Sequence, residues 1–194
     1  MSADRQNANL VSSTWLGPFD DSVADEAGDL LALSLAWHPT RSKLMAVTLS
    51  NGEVQYCETE GDFAELNHHM STGAPEQLRH ELEAWTAAFS PASMGLFSGG
   101  DDCALRYLRP NEAMDGVEAA WQDKRIHGAG VTAILPLNDE LVVTGSYDDH
   151  VRLIFAPQIG RKQVLAERNL EGGVWRLKMI ENHGRLNADG AGDR

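Results

Sequence analysis

A pattern of apolar runs and turn residues in residues 80–108 (HELEAWTAAFSPASMGLFSGGDDCALRYL) returns about 46 residues later, and this repeat constrains the fold more than any other feature of the chain. Apolar and polar residues alternate through Trp85, Ala87 and Phe89, break at Ser90-Pro91, resume from Met94 to Phe97, turn at Gly99-Gly100-Asp101-Asp102, and run again from Ala104 to Leu108. Short period-2 runs separated by Pro, Gly and Asp read as antiparallel strands joined by tight turns. The second copy places His127 on His80, 47 residues on, and Thr144 on Ser98 and Asp148 on Asp102, 46 on. A weaker copy upstream runs Leu33–Trp37, Leu44–Thr48, the turn Ser50-Asn51-Gly52, and Glu53–Tyr56. Self-similarity at about 45–50 residues, with three or four strands per unit, marks β-propeller blades.

The expected architecture is therefore all-β. Blades are placed at about residues 30–57, 80–109 and 127–155, with the first strand of a fourth in 164–180, where EGGVWRLKM begins another copy. Residues 1–29 form a polar, acidic segment with one apolar island (VSSTWLGPF) that reads as an edge strand, and 181–194 is a polar tail. The link from Glu58 to Arg79, with His68-His69, reads as loop, and residues 110–126 read as a connection with a helical turn around Val117–Trp121. Three blades and one strand do not close a ring, which takes at least about four. The sequence thus reads as an incomplete propeller, a larger one cut at each end.

The net charge of −13 speaks against nucleic acid and anionic membranes as partners, because phosphate is bound by Lys and Arg. Cys57 and Cys103 have no metal-ligand spacing and read as a reduced cytosolic pair. The amino terminus has no basic start and no apolar run, and no stretch approaches the ~20 apolar residues of a membrane span. A soluble, cytoplasmic protein is expected, with no metal and no cofactor.

Three sets of residues could carry chemistry. His80, Ser98 and Asp102 invite a hydrolase-triad reading, but His127, Thr144 and Asp148 repeat the same types in the next unit. A catalytic site is needed once, so the repetition points to a scaffold that ties each blade together. Leu108 and Ile154 stand where a tryptophan would usually complete such a network. The second set is Trp85 and Trp175, which share one aligned position, with Thr132 between them. That position lies near the mouth of the central channel, where an aromatic platform can bind a ligand. The third set is the acidic turns: Asp101 aligns with Tyr147 and Cys103 with Asp149, and Ser146 and His150 flank the second turn. Asp101, Ser146, Tyr147 and His150 are the candidates for catalysis, and Trp85, Trp175 and Asp101 for substrate binding.

Taken together in order, HELEAWTAAF, SGGDD followed by LR, TGSYDDHVRL and GGVWRLK resemble one WD-repeat family, the methylated diphthine methylhydrolases known as diphthamide biosynthesis protein 7. The resemblance covers about residues 80–179. It implies a seven-bladed propeller in the cytoplasm that hydrolyses the methyl ester of methylated diphthine, a modified histidine of translation elongation factor 2. It brings no catalytic residue with it. The implied substrate carries a trimethylammonium group, which aromatic faces hold at about 0.5–2 kcal/mol per contact. The alternative from a different class is a non-catalytic WD-repeat adaptor that binds other proteins. An arc of blades leaves apolar faces uncovered at its ends. Expressed alone, the chain should aggregate or bind a hydrophobic dye; a monomer that melts cooperatively without dye binding would show that those ends are capped.

Overall fold

The structure is a computed structural model that describes residues 30–60, 65–70, 79–110 and 117–180. The expected edge strand in residues 1–29 and the tail 181–194 lie outside the described residues. Twelve strands form three four-stranded antiparallel sheets, and no helix occurs among the described residues. The first sheet holds β1 (Ala32–Trp37), β2 (Leu44–Leu49), β3 (Val54–Glu60) and β4 (Glu65–Met70). The second holds β5 (Ala84–Phe89), β6 (Leu96–Gly100), β7 (Leu105–Pro110) and β8 (Val117–Asp123). The third holds β9 (Val131–Pro136), β10 (Leu141–Ser146), β11 (His150–Phe155) and β12 (Gln163–Asn169). Each sheet is a meander in chain order, which is the blade of a propeller. The protein is an incomplete WD-repeat propeller, with three blades among the described residues.

Each blade has a fourth, outer strand where the sequence suggested something else. β4 runs through the link read as loop, and β8 replaces the helical turn expected at Val117–Trp121. The spacing of VEAAWQD suits a helix as well as a strand, and pairing with β7 decides the matter. Residues 164–169, assigned above to a fourth blade, belong to β12 and close the third sheet against β11. Every residue of β12 is exposed, so no buried face stamps a period on its sequence.

The sheets pack face to face. Leu44, Ala46, Val54 and Tyr56 of the first blade interlock with Ala84, Ala87, Phe89, Leu96 and Leu108 of the second. Phe97, Leu105, Tyr107 and Trp121 of the second meet Val142, Ile154 and Ala156 of the third. Tyr107 stacks on Trp121 at 5.8 Å between centroids. Burial of each such large side chain contributes about 1.5–3 kcal/mol. In β2 both faces are covered: Met45, Val47 and Leu49 join Cys57 in a separate cluster, so the strand is buried along its length.

One seam repeats between successive units. A Cβ at Gly99 would lie 2.6 Å from Val131 Cγ1, and one at Gly145 would lie 2.4 Å from Val174 Cγ1. The innermost strand of the third blade thus rests on a glycine of the second, and Val174 docks on the third blade as Val131 docks on the second. Thr132 Oγ1 donates to the Val174 carbonyl at 2.7 Å, and the Val174 amide donates to Ser146 O at 3.1 Å. Gly145→Ala should force the Val174 segment outward, since its backbone oxygen is only 2.8 Å from the added carbon. The expected cost is about 1–3 kcal/mol in urea unfolding. Gly172→Ala, whose added carbon meets nothing within 4 Å, should stay within about 0.5 kcal/mol. Equal midpoints for the two variants would show that the seam is loose.

Candidate functional site

The histidine, serine and aspartate of the second blade form a continuous hydrogen-bonded chain. His80 Nδ1 lies 2.8 Å from Asp102 Oδ1, and His80 Nε2 lies 3.0 Å from Ser98 Oγ. With Nδ1–H donating to the carboxylate, Nε2 accepts from the serine hydroxyl. This is the connectivity of a hydrolytic triad, but the side chains of His80 and Asp102 are 0% and 2% exposed and Ser98 is fully buried. No substrate can reach Ser98. Asp102 also accepts from the Glu81 and Ala104 amides and pairs with Arg106 at 3.6 Å, so it binds the approach to β5, the β6–β7 turn and β7 together. Gly100 has no Cβ, and one there would lie 2.5 Å from His80 Nδ1.

The third blade keeps half of this arrangement. His127 Nε2 meets Thr144 Oγ1 at 2.9 Å, while its Nδ1 has no hydrogen-bond partner among the described residues. Asp148 accepts instead from the Gly128 amide at 2.8 Å and from Arg152 Nη1 at 2.8 Å. Arg106 and Arg152 were not singled out from the sequence. Their signal was there, in LRYL and VRLI spaced 46 residues apart.

The other candidates separate into two groups. Ser146 is buried and committed to its turn: Oγ donates to Ala129 O at 3.0 Å and accepts from the Asp148 amide at 3.1 Å. His150 Nδ1 donates to the carbonyl of Asp148, two residues back. Among the described residues no hydrogen bond joins either one to Tyr147. The aligned pair Cys103 and Asp149 share a left-handed backbone, with φ of 61° and 67°. Their alignment therefore records a turn geometry rather than chemistry.

Trp85, Tyr147, Trp175 and Asp101 come together. Trp85 is the second residue of β5, and its Nε1 donates to Asp101 Oδ1 at 3.3 Å. Trp175 follows Val174 and is 59% exposed. The Trp85 and Trp175 rings stand 6.4 Å apart at 83°, Tyr147 and Trp175 4.6 Å apart at 82°, and Trp85 and Tyr147 6.4 Å apart at 76°. All three are edge-to-face contacts of ordinary aromatic geometry. The two tryptophans also wall a groove of about 530 Å³ with Leu33 and Leu35 of β1, Thr132 of β9, Arg176 and Leu177. Its lining comes from the innermost strand of every blade and from the docked segment, so it is the channel side of the arc. No cluster of three or more metal-ligating side chains occurs among the described residues.

No protein-family model matches the chain. The chain is 34% identical to diphthine methyltransferase of Mus musculus over 90% of its own length and 36% of that protein. It is 32% identical to diphthine methyltransferase of Schizosaccharomyces pombe, over 82% of this chain and 44% of the relative. The diphthine methyltransferase of Saccharomyces cerevisiae is also 32% identical, with coverage of 87% and 48%. The chain thus spans less than half the length of these relatives. Among solved structures, a chain in the crystal structure of the Mitotic Checkpoint Complex superposes with a TM-score of 0.55 over 75% of this chain and 40% of that one. At 15% identity that likeness is one of fold.

The buried network makes stability depend on pH. Burial and the Arg152 guanidinium push His127 from its ordinary 6.5 down to about 4, and burial also lowers His80. Burial works to raise Asp102, but hydrogen bonds from His80 and from the Glu81 and Ala104 amides bring it down to about 2. A histidine held neutral in the fold is protonated first in the unfolded chain. Its contribution is therefore full above pH 6.5 and is lost as pH falls toward 4. Asp102 acts only below its ordinary 3.8. From His127 alone, unfolding free energy should drop by about 2 kcal/mol between pH 7 and pH 5. His127→Gln should remove that part of the drop. Coincident urea midpoints for the parent at the two pH values would show that the histidine is not held neutral.

Proposed function

Because the chain belongs to the diphthine methyltransferase family, we propose that it serves diphthamide biosynthesis by hydrolysing the methyl ester of methylated diphthine on translation elongation factor 2, in the cytoplasm. The observation that carries the reading is the meeting of Trp85 and Trp175, which wall the channel groove, with Asp101 bonded to Trp85. Methylated diphthine offers a trimethylammonium group and, nearby, a neutral ester. Aromatic rings beside a carboxylate suit the first, and the groove leaves room for the second. In the reaction a water oxygen attacks the ester carbonyl carbon, the bond to the methoxy group breaks, and methanol leaves. A water nucleophile fits this mouth better than a serine does, since Ser98 and Ser146 are both buried in the scaffold and Ser34, which lines the groove, is bonded to no histidine among the described residues. In this reading Asp101, which is bonded to Trp85, takes a proton from that water.

The adaptor reading draws on the same burial, because the hydroxyls bound to histidine among the described residues, Ser98 and Thr144, are out of a substrate's reach. Methanol release from methylated-diphthine elongation factor 2, assayed with the full-length gene product, separates the two. Release above background is expected. Trp85→Leu or Trp175→Leu should lower kcat/KM by about 1–2 kcal/mol, roughly five- to thirtyfold. The melting temperature should move little for Trp175, whose ring is exposed. No methanol from the unaltered protein would leave the adaptor, and normal turnover with a large loss of melting temperature would return the tryptophans to the core.

A further inference from the structure

We infer that Tyr147 completes, with Trp85, Trp175 and Asp101, a site for quaternary ammonium groups that takes them in preference to primary amines. The inference rests on the reading above only for the natural ligand's identity. Tyr147 aligns with Asp101 in the repeat, yet the fold turns both toward one cluster from neighbouring blades. Glycines make this approach possible. A Cβ at Gly130 would lie 2.7 Å from Asp101 Oδ1 and 3.3 Å from Tyr147 Cδ2, and one at Gly173 would lie 3.3 Å from Tyr147 Cδ1. The Tyr147 ring is thereby seated over backbone on both sides, and its amide is held by Gly130 O at 3.0 Å.

The resulting surface is three rings, each nearly perpendicular to the other two, and one carboxylate. Perpendicular rings 6.4 Å apart bound a corner in which a cation lies within about 6 Å of both centroids. Desolvation and the neighbouring Asp101 carboxylate both raise the Tyr147 phenol, so its ring stays neutral. A primary ammonium entering the corner gives up strong hydrogen bonds to water. One carboxylate, Asp101, replaces only part of them, and it already accepts from Trp85 Nε1. A quaternary ammonium has no N–H to satisfy and spreads its charge over methyl groups that rest on rings. Arg176 lines the same groove and opposes any cation, but it is exposed and its field is screened by water and salt.

Titration of the full-length gene product with tetramethylammonium chloride and, separately, methylammonium chloride, at constant ionic strength and followed by tryptophan fluorescence, tests the inference. Saturable binding of tetramethylammonium is expected, with affinity about tenfold or more above that of methylammonium. Tyr147→Leu should weaken it about threefold or more, and Tyr147→Phe, which keeps the ring, should recover most of the loss. Asp101→Asn keeps an acceptor for Trp85 but removes the charge, and should weaken binding and flatten its salt dependence. Equal affinity for the two cations would overturn the inference, as would a folded Tyr147→Leu that binds like the parent. If Tyr147→Leu does not fold, an unchanged affinity in Asp101→Asn overturns it. Binding of tetramethylammonium without methanol release would leave this site standing and remove the esterase reading; release without binding would do the reverse.

Discussion

The close approach of β9, and of the segment at Val174, to a glycine of the preceding blade is the constraint from which the rest follows. Gly99 admits Val131 and Gly145 admits Val174 at distances no side-chain carbon would allow. Each seam fixes the height of the next blade, and with it the residue after the valine. In the third blade that residue is Thr132, whose hydroxyl then reaches the Val174 carbonyl. In the docked segment it is Trp175. Interiors pack too densely to absorb an extra methyl at such a contact, so mouth geometry is set by backbone fit far more than by the aromatic residues themselves.

The hydrogen-bonded network performs a second, separate task. Packing between sheets is non-directional, but the His80–Ser98 and His80–Asp102 bonds have one geometry and lie within one blade. They tie the segment before β5 to β6 and to the turn after it. In the third blade an ion pair, Arg152 with Asp148, takes over the aspartate, and His127 keeps only its threonine. The Arg106–Asp102 distance of 3.6 Å against 2.8 Å for Arg152–Asp148 shows the two blades dividing the same four residue types differently. A catalytic triad would not tolerate such exchange, whereas a clamp needs only that the turn be held.

Much of this was legible in the sequence. The three inner strands of each blade were, because their apolar residues alternate between two packed faces or, like β2, are buried throughout. The outer strands were not. β12 is exposed at every residue, and the spacing of β8 is ambiguous, so their pairing comes from backbone groups that carry no sequence signal. Of the site, Trp85, Trp175 and Asp101 were legible through their alignment across repeats. Tyr147 was visible too, but as one residue of a turn. Its contact with Trp175 joins the third blade to the segment docked on it, and no spacing along one blade encodes a distance between units.

Charge and rings divide the work of holding a cation at the proposed site. A chain of net charge −13 draws cations from solution, but that attraction decays within a Debye length of about 8 Å at physiological salt. It also cannot distinguish one ammonium from another. Discrimination has to come at contact, where hydration is lost and only fixed partners count. There the protein presents a single carboxylate, one oxygen of which is bound to Trp85, and three ring surfaces. More carboxylates would bind more cations, and bind hydrated metal ions and lysine side chains among them. With aromatic edges and faces in most directions, the surface rewards a charge that carries its own apolar coat. The acidity of the chain therefore sets how often a cation arrives, and the aromatic corner sets which one stays.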